Sequence, residues 1–289
     1  MESDSAPSDN RQLYHRLSVM VESMPPFPES VHQVMTLSSD INCSPKDLVG
    51  VIERDPVLTM KILKMVNSAF FSLSRQVASV QHALVYLGMN TVKNLAVSIA
   101  TVDALPRTSI AELPMASFLT HSLATAAVAQ RLARDNLQIR DASDHFVAGL
   151  LHDFGKVVFV QFEPTTYAKI LQMAQQGDQP LAEVEVEQMG VSSAEVGGML
   201  AESWHLPEPL VECIRRHASF DAQPSDLMIT VAAANTVVKA MKLGDSGNPV
   251  TGQFPDLIRS RLHADLDAVI EQMRDLPDEV GVMQSAVRG

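Results

Sequence analysis

Apolar residues recur at intervals of three and four positions along almost the whole of this 289-residue chain. In the segment SPKDLVGVIERD, for example, Leu48, Val51 and Ile52 share one face of a helix. Ser44 and Pro45 precede them as an N-cap and a first helical residue. No stretch alternates apolar and polar residues for long enough to form a β-sheet. The pattern therefore predicts an all-α fold.

Prolines, glycines and capping residues predict where the helices begin and end. Residues 1–11 are polar and acidic, and we expect them to form a disordered lead to a first helix that stops at Pro25. The longest predicted helices span residues 115–135, 143–162 and 255–276. The last of these is amphipathic, and the sequence leaves open whether it packs on the core or on a partner.

The composition limits the classes of function that the chain can have. Its formal net charge of -12 argues against a nucleic-acid-binding surface, which needs a basic footprint. No apolar run reaches the length of a membrane span, so we expect a soluble protein with no membrane partner. Cys43 and Cys213 are far apart and lack CxxC spacing, which favours two free thiols in a reducing cytoplasm.

One segment, GLLHDFGKVVF at residues 149–159, places a histidine, an aspartate and a lysine inside an apolar helical run. Burying a charged pair of this kind costs free energy unless the pair is hydrogen-bonded or binds a metal. The segment therefore poses a choice between a metal site that hydrolyses phosphate esters and a polar cluster in a protein that only binds.

Five phrases resemble, in order, the signature phrases of the HDOD domain family. They are MPPFPESVHQVM, VIERDPVLTMKILKMVNSAFFSL, ASVQHALVYLGMNTVKNLAV, GLLHDFGKVV and AEVGGMLAESWHLPEPLVECI. The family is a degenerate relative of the HD-type metal-dependent phosphohydrolases. The resemblance covers residues 20–245 and implies a two-lobed helical bundle, with an N-terminal helical lobe at 20–105 and an HD-like lobe at 106–245. Residues 1–19 then form the lead and the start of the first helix, and 246–289 a loop and a C-terminal helix.

The resemblance also implies which residues stand at the metal-ligand positions of an HD phosphohydrolase. The first histidine is His121, the adjacent pair is His152 and Asp153, and the distant aspartate is replaced by Asn235. Some relatives carry auxiliary histidines as well. One of these positions holds Ser193 in this chain, and His217 and Ala218 stand where relatives have two adjacent histidines. With Lys156, these residues define what we call the HD pocket: His121, His152, Asp153, Lys156, His217 and Asn235.

The charges of this set bear on whether it holds a metal. A divalent ion lowers the pKa of a bound water for attack on phosphate, and hard ions prefer carboxylate ligands. Asp153 is the one carboxylate in the set, because Asn235 is neutral. If an ion is bound, we expect it weakly, at His121, His152 and Asp153. His145 cannot join them, because seven residues separate it from His152 by about 10 Å along a helix.

The alternative to a metal site is a buried polar cluster that holds no ion. A buried Asp153 can accept hydrogen bonds from His121, His152 or Lys156 and fix the packing of helices without an ion. We favour this polar cluster, and we therefore expect no catalytic residue and no resident cofactor.

These considerations, together with the resemblance, predict a bacterial signal-transduction or regulatory domain that is non-catalytic and acts through a protein partner. Two alternatives stay open. One is an HD-type metal-dependent phosphohydrolase or phosphodiesterase, and the other is a sensor of a phosphate-bearing nucleotide. The sequence contains no Gly-rich phosphate loop, nucleophile elbow or HExxH motif to favour a different enzyme class.

Overall fold

The computed structural model describes residues 6–38, 40, 42–67, 75–106, 109–177, 179–219, 223–248 and 250–288. These residues form helices and no strand; a single isolated bridge pairs Ile110 with Leu113. In chain order the helices are α1 (Ala6–Glu22), α2 (Glu29–Ser38), α3 (Pro45–Glu53), α4 (Pro56–Val66), α5 (Val80–Leu87), α6 (Met89–Asp103), α7 (Met115–Asp135), α8 (Ser143–Leu151), α9 (Phe154–Phe162), α10 (Pro164–Gly177), α11 (Leu181–Met189), α12 (Ser193–Ser203), α13 (Glu208–Arg216), α14 (Asp226–Ala240), α15 (Asp256–Leu262), α16 (Leu266–Gln272) and α17 (Leu276–Arg288). The predicted all-α fold is confirmed.

The helices pack as two lobes. Helices α2 to α6 contact one another in the N-terminal lobe, and α7 to α14 form the C-terminal lobe around the central pair α7 and α14. Helix α6 packs on α8 across the boundary, and α17 lies on α7 while also reaching α4 and α6. Helix α1 crosses to the C-terminal lobe and packs on α12 and α9. Helix α17 therefore contacts both lobes.

Local capping signals behave as the sequence predicts in the N-terminal lobe. Ser44 accepts a hydrogen bond from the backbone N–H of Asp47, and the Asp47 carboxylate accepts one from the backbone N–H of Ser44. Asp55 caps α4 by accepting from the backbone N–H groups of Val57 and Leu58, with Pro56 as the first helical residue.

Three predicted boundaries are wrong. Helix α1 begins at Ala6, so residues 6–11 are helical rather than disordered, with Pro7 in the first turn, where a helix tolerates proline; residues 1–5 lie outside the described ranges. The helix expected over 255–276 is instead two helices, α15 and α16, which pack on α14, and α17 begins at Leu276. His263 interrupts it with a φ of 54°, and Asp265 then caps α16.

The third wrong boundary affects the site. The single helix expected over 143–162 breaks at His152 and Asp153 into α8 and α9. The break lets α8 pack on α7 while α9 packs on α12. Both contacts depend on glycine: a Cβ on Gly149 would lie 2.8 Å from Ala126 Cα, and one on Gly155 would lie 1.8 Å from Ser193 O. Helical periodicity cannot reveal a two-residue break inside an apolar run.

A chain of aromatic rings connects the break to the N-terminal lobe. Phe154, which follows Asp153, packs against Trp204 with ring centroids 5.6 Å apart. Trp204 contacts Phe27 at 5.0 Å and donates from its indole N–H to the carbonyl of Pro25. Such pairs add about 0.5–1.5 kcal/mol each beyond the burial of their area.

Among the described residues, no single helix is both long and apolar enough to cross a membrane. Helices α5 and α6 meet those criteria only when taken together, and they are bent by 119° relative to each other. Cys43 and Cys213 are free thiols, as predicted.

Candidate functional site

The structure brings together the residues that define the HD pocket. They come from α7 (His121), the break between α8 and α9 (His152 and Asp153), α9 (Lys156), the end of α13 (His217) and α14 (Asn235). Except for Asn235, which is half-buried, each of them is buried. His145 lies outside this set, as expected, and its Nδ1 is 2.7 Å from Thr230 Oγ1.

The Asp153 carboxylate is the centre of the pocket. Its Oδ2 accepts a hydrogen bond from Lys156 Nζ at 2.7 Å and lies 3.2 Å from His152 Nε2 and 3.8 Å from His121 Nε2. Its Oδ1 lies 3.7 Å from His217 Nε2. Burial alone would raise the pKa of Asp153, but the neighbouring His152 and Lys156 outweigh it and hold the pKa well below 3.8. Asp153 is therefore an anion with one close ammonium partner.

Two histidine rings are oriented by backbone carbonyls. His152 Nδ1 donates to Gly149 O at 2.8 Å, and His217 Nδ1 donates to Ile214 O at 2.9 Å. Both rings thereby turn Nε2 toward Asp153, and His152 Nε2 has no hydrogen-bond partner among the described residues. Histidines that bind metals are commonly oriented in this way, by a hydrogen bond from the ring nitrogen that does not face the metal.

Burial sets the charge state of two histidines of the HD pocket, His121 and His217. The pKa of His121 is held well below 6.5, because burial and the neighbouring His152 both oppose its charged form. The same two causes lower the pKa of His217 to about 4. Both rings are therefore neutral at pH 7.

Lys156 supplies the positive charge of the pocket. Its ammonium donates to Asp153 Oδ2 and, at 2.8 Å, to the carbonyl of Ser246 in the loop after α14. Gly244 allows that loop to approach, because its φ is 73° and a Cβ there would lie 2.3 Å from Ser117 O. Burial, together with the charge of Lys156, lowers the pKa of the nearby Lys239 to about 8.

A second buried carboxylate, Glu185 on α11, is not among the residues predicted from the sequence. Its side chain is fully buried and accepts hydrogen bonds from Tyr167 Oη at 2.7 Å, Ser193 N at 2.7 Å and Ser193 Oγ at 2.9 Å. Burial raises its pKa. The signal was its spacing, since Glu185 shares a helical face with Leu181 and Met189 and therefore had to be buried. Ser193, which stands at the position of an auxiliary histidine, donates two of these three hydrogen bonds.

The cavity inside this cluster is small. It has a volume of about 40 Å³ and is lined by Asp153, Lys156, Glu185, Ser193, His217 and Asn235, among others. Asn235 Oδ1 is buried without a hydrogen-bond partner among the described residues. A cavity of this size holds one or a few waters, whereas ligand pockets usually measure about 300–1,000 Å³.

The donor set does not fit a resident divalent ion. The ligand atoms of His121, His152 and Asp153 all lie within 4.8 Å of one another, which is close enough for three ligands of one metal. However, Lys156 Nζ already contacts the Asp153 oxygen that such an ion would share. A metal at this position would therefore lie near an ammonium group and share a single carboxylate with it. The second buried carboxylate, Glu185, already accepts hydrogen bonds from three other donors.

Comparisons with known proteins agree with this fold. A curated protein of Treponema pallidum (strain Nichols), uncharacterized, is 26% identical over 222 residues, which are 76% of this chain and 43% of the relative. The chain thus spans less than half of that relative's length. Two solved structures share the fold. An HDOD domain protein of unknown function from Geobacter sulfurreducens has a TM-score of 0.73 at 23% identity, covering 95% of this chain and 98% of its own.

The second structure is that of a protein from Marinobacter aquaeolei VT8 that is named for a role in signal transduction. It has a TM-score of 0.79 at 22% identity, covering 98% of this chain and 66% of its own. Identities this low establish the likeness of fold alone. The family model for the HDOD domain, in contrast, matches residues 24–220, about two thirds of the sequence. The chain therefore belongs to the HDOD domain family.

Proposed function

We propose that this chain is a regulatory HDOD domain of a bacterial signalling pathway that acts by contacting a partner protein and does not hydrolyse phosphate esters. The observation that carries the proposal is the position of Lys156, whose ammonium lies 2.7 Å from Asp153 Oδ2 and 2.8 Å from Ser246 O. The ammonium contacts the carboxylate that a catalytic cation would share with His121 and His152.

The cavity supports the same proposal. A volume of about 40 Å³ does not admit a phosphate ester together with a metal and an attacking water. The signalling role draws on the family and on the relative from Marinobacter aquaeolei VT8. The net charge of -12 argues for a protein partner rather than nucleic acid or an anionic membrane surface. A cytoplasmic location belongs to the proposal, because it suits two free thiols.

One alternative has an observation in its favour. The Nδ1–H groups of His152 and His217 are fixed by carbonyls, and their Nε2 atoms face Asp153, as metal ligands do. This arrangement would serve an HD-type metal-dependent phosphohydrolase if Lys156 released Asp153. The nucleotide sensor is disfavoured by the size of the cavity.

The test is to purify the protein without chelator, measure bound divalent metal and assay turnover of bis(p-nitrophenyl) phosphate. We expect much less than one metal per chain and no turnover above that of His152→Ala. Stoichiometric metal, with turnover that is lost in His152→Ala and kept in the surface variant His15→Ala, would refute the proposal. A nucleotide panel in a thermal-shift assay addresses the sensor, since a ligand at about 100 times its Kd would add roughly 2.7 kcal/mol of stability.

A further inference from the structure

A groove on the N-terminal lobe, between α3 and α5, is far larger than the HD pocket. Its volume is about 680 Å³. Its lining includes Val49 of α3, Leu84 and Val85 of α5, and Met89 at the start of α6. Helices of eight and nine residues give it a length of about two helical turns, near 12–13 Å.

The outer surface of this lobe is unusually apolar. Nine large hydrophobic residues are exposed in the described part of the chain, and four of them lie on α4 and α5: Val57, Met60, Val85 and Tyr86. Val85, on the rim of the groove, is 76% exposed. The face of α5 that carries Val80 and Ala83 is already buried. A helix that is apolar on both faces indicates a second surface to be covered.

The charge at the groove indicates what covers it. Lys46 is the one charged side chain among the lining residues, in a chain that has 34 acidic and 22 basic residues. It is exposed, and it forms no salt bridge with any described residue. A partner that places apolar side chains in the groove and a carboxylate near Lys46 would satisfy both features.

A second copy of this chain fits less well. In a two-fold contact through this face, two concave surfaces would meet without filling each other, and the two Lys46 ammonium groups would approach the same axis. We infer that the groove binds an acidic amphipathic helix of a partner protein, and this inference rests on the proposed function. The helix would insert apolar residues at positions i, i+3 or i+4, and i+7 between α3 and α5.

The test uses the full chain and a phage library of 16-residue peptides, from which the tightest binder is made with a fluorescent label. We expect selected sequences with helical apolar spacing and Glu or Asp beside it. In fluorescence anisotropy, Val85→Glu should weaken binding more than tenfold. The matched control, Val186→Glu, changes a residue on α11 that is 51% exposed, and should stay within twofold of the unmodified protein.

A charge exchange tests the carboxylate. Lys46→Glu should weaken the acidic peptide at least threefold, and a peptide with its acidic residues changed to Lys should recover binding to that variant. Equal effects of Val85→Glu and Val186→Glu, indifference to Lys46→Glu, or a dimer that Val85→Glu dissociates in light scattering would each overturn the inference. Metal-supported turnover with peptide binding intact would refute the proposed function and leave the groove assignment standing.

Discussion

Replacing Lys156 with methionine tests whether an internal ammonium group supports the buried Asp153 carboxylate. Both side chains are about 5% exposed, and the ammonium is the only group that donates to Asp153 Oδ2 at 2.7 Å among the described residues. Methionine has nearly the same length and no charge. The substitution therefore leaves a buried carboxylate without its cation and leaves Ser246 O without its donor.

The expected loss is large because removing one partner of a buried ion pair costs about 3–5 kcal/mol. A chain of 289 residues has an unfolding entropy of roughly 0.6 kcal/mol/K, so the melting temperature should fall by about 5–8 °C. Lys61→Met is the matched control. It breaks the pair between Lys61 and Asp103, whose side chains are 37% and 49% exposed, and such a surface pair contributes about 0–1 kcal/mol.

A double-mutant cycle and a metal titration complete the test. Asp153→Asn combined with Lys156→Met removes both charges, so the double variant should be less destabilised than the sum of the single variants. Lys156→Met alone should bind Zn²⁺ more tightly than the unmodified protein, because it frees Asp153 Oδ2 beside His121 and His152. Equal melting temperatures for the Lys156 and Lys61 variants, or unchanged Zn²⁺ affinity, would show that Lys156 is not the cation of the pocket.

Three further predictions follow from packing and burial. Gly155→Ala should destabilise the fold by about 1–3 kcal/mol or more in urea unfolding, because its Cβ would overlap Ser193 O, whereas Gly50→Ala, with its nearest atom 4.0 Å away, should be neutral or stabilising. The pKa of about 4 for His217 is below its unfolded value, so the unfolded chain binds the extra proton. Stability should therefore fall as pH drops from about 6.5 to 4, by on the order of 3 kcal/mol, and His217→Gln should remove that part of the slope. Glu185→Gln should cost about 1–3 kcal/mol in the same assay, because an amide cannot accept all three hydrogen bonds that the carboxylate accepts; an unchanged midpoint would contradict the assigned network.

Part of the fold could be predicted because its causes are local. Ser44 and Asp55 cap their helices within three residues, and a proline follows each of them. Ser192 and Glu195 have the spacing of a capping box, but only half of the box forms. Ser192 accepts from the backbone N–H of Glu195, whereas the Glu195 carboxylate lies 3.3 Å from Arg215 Nε. Arg215, which is distant in the sequence, forms an ion pair with the Glu195 carboxylate. The residues next to Ser192 could not predict that contact.

Some features of the candidate site could likewise be predicted from the sequence, and others could not. The sequence named six residues of the HD pocket through the family resemblance, and their side chains converge in the structure. Asp153 is not the one nearby anion, because Glu185 is a second; Glu185 lies on a segment that carries none of the family phrases. The predicted single helix over 143–162 is also wrong, since the turn at His152 and Asp153 directs α8 and α9 toward different neighbours.

The class of fold and the helical periodicity could be predicted, because they depend on interactions between residues three or four positions apart in the chain. Contacts between distant residues could not. Tertiary packing places Lys156 against Asp153 and Ser246 O, and it leaves Val85 exposed beside a groove. Those contacts depend on which helices approach each other and on how closely glycine residues let them pack. A pattern of neighbouring residues in the sequence contains neither kind of information.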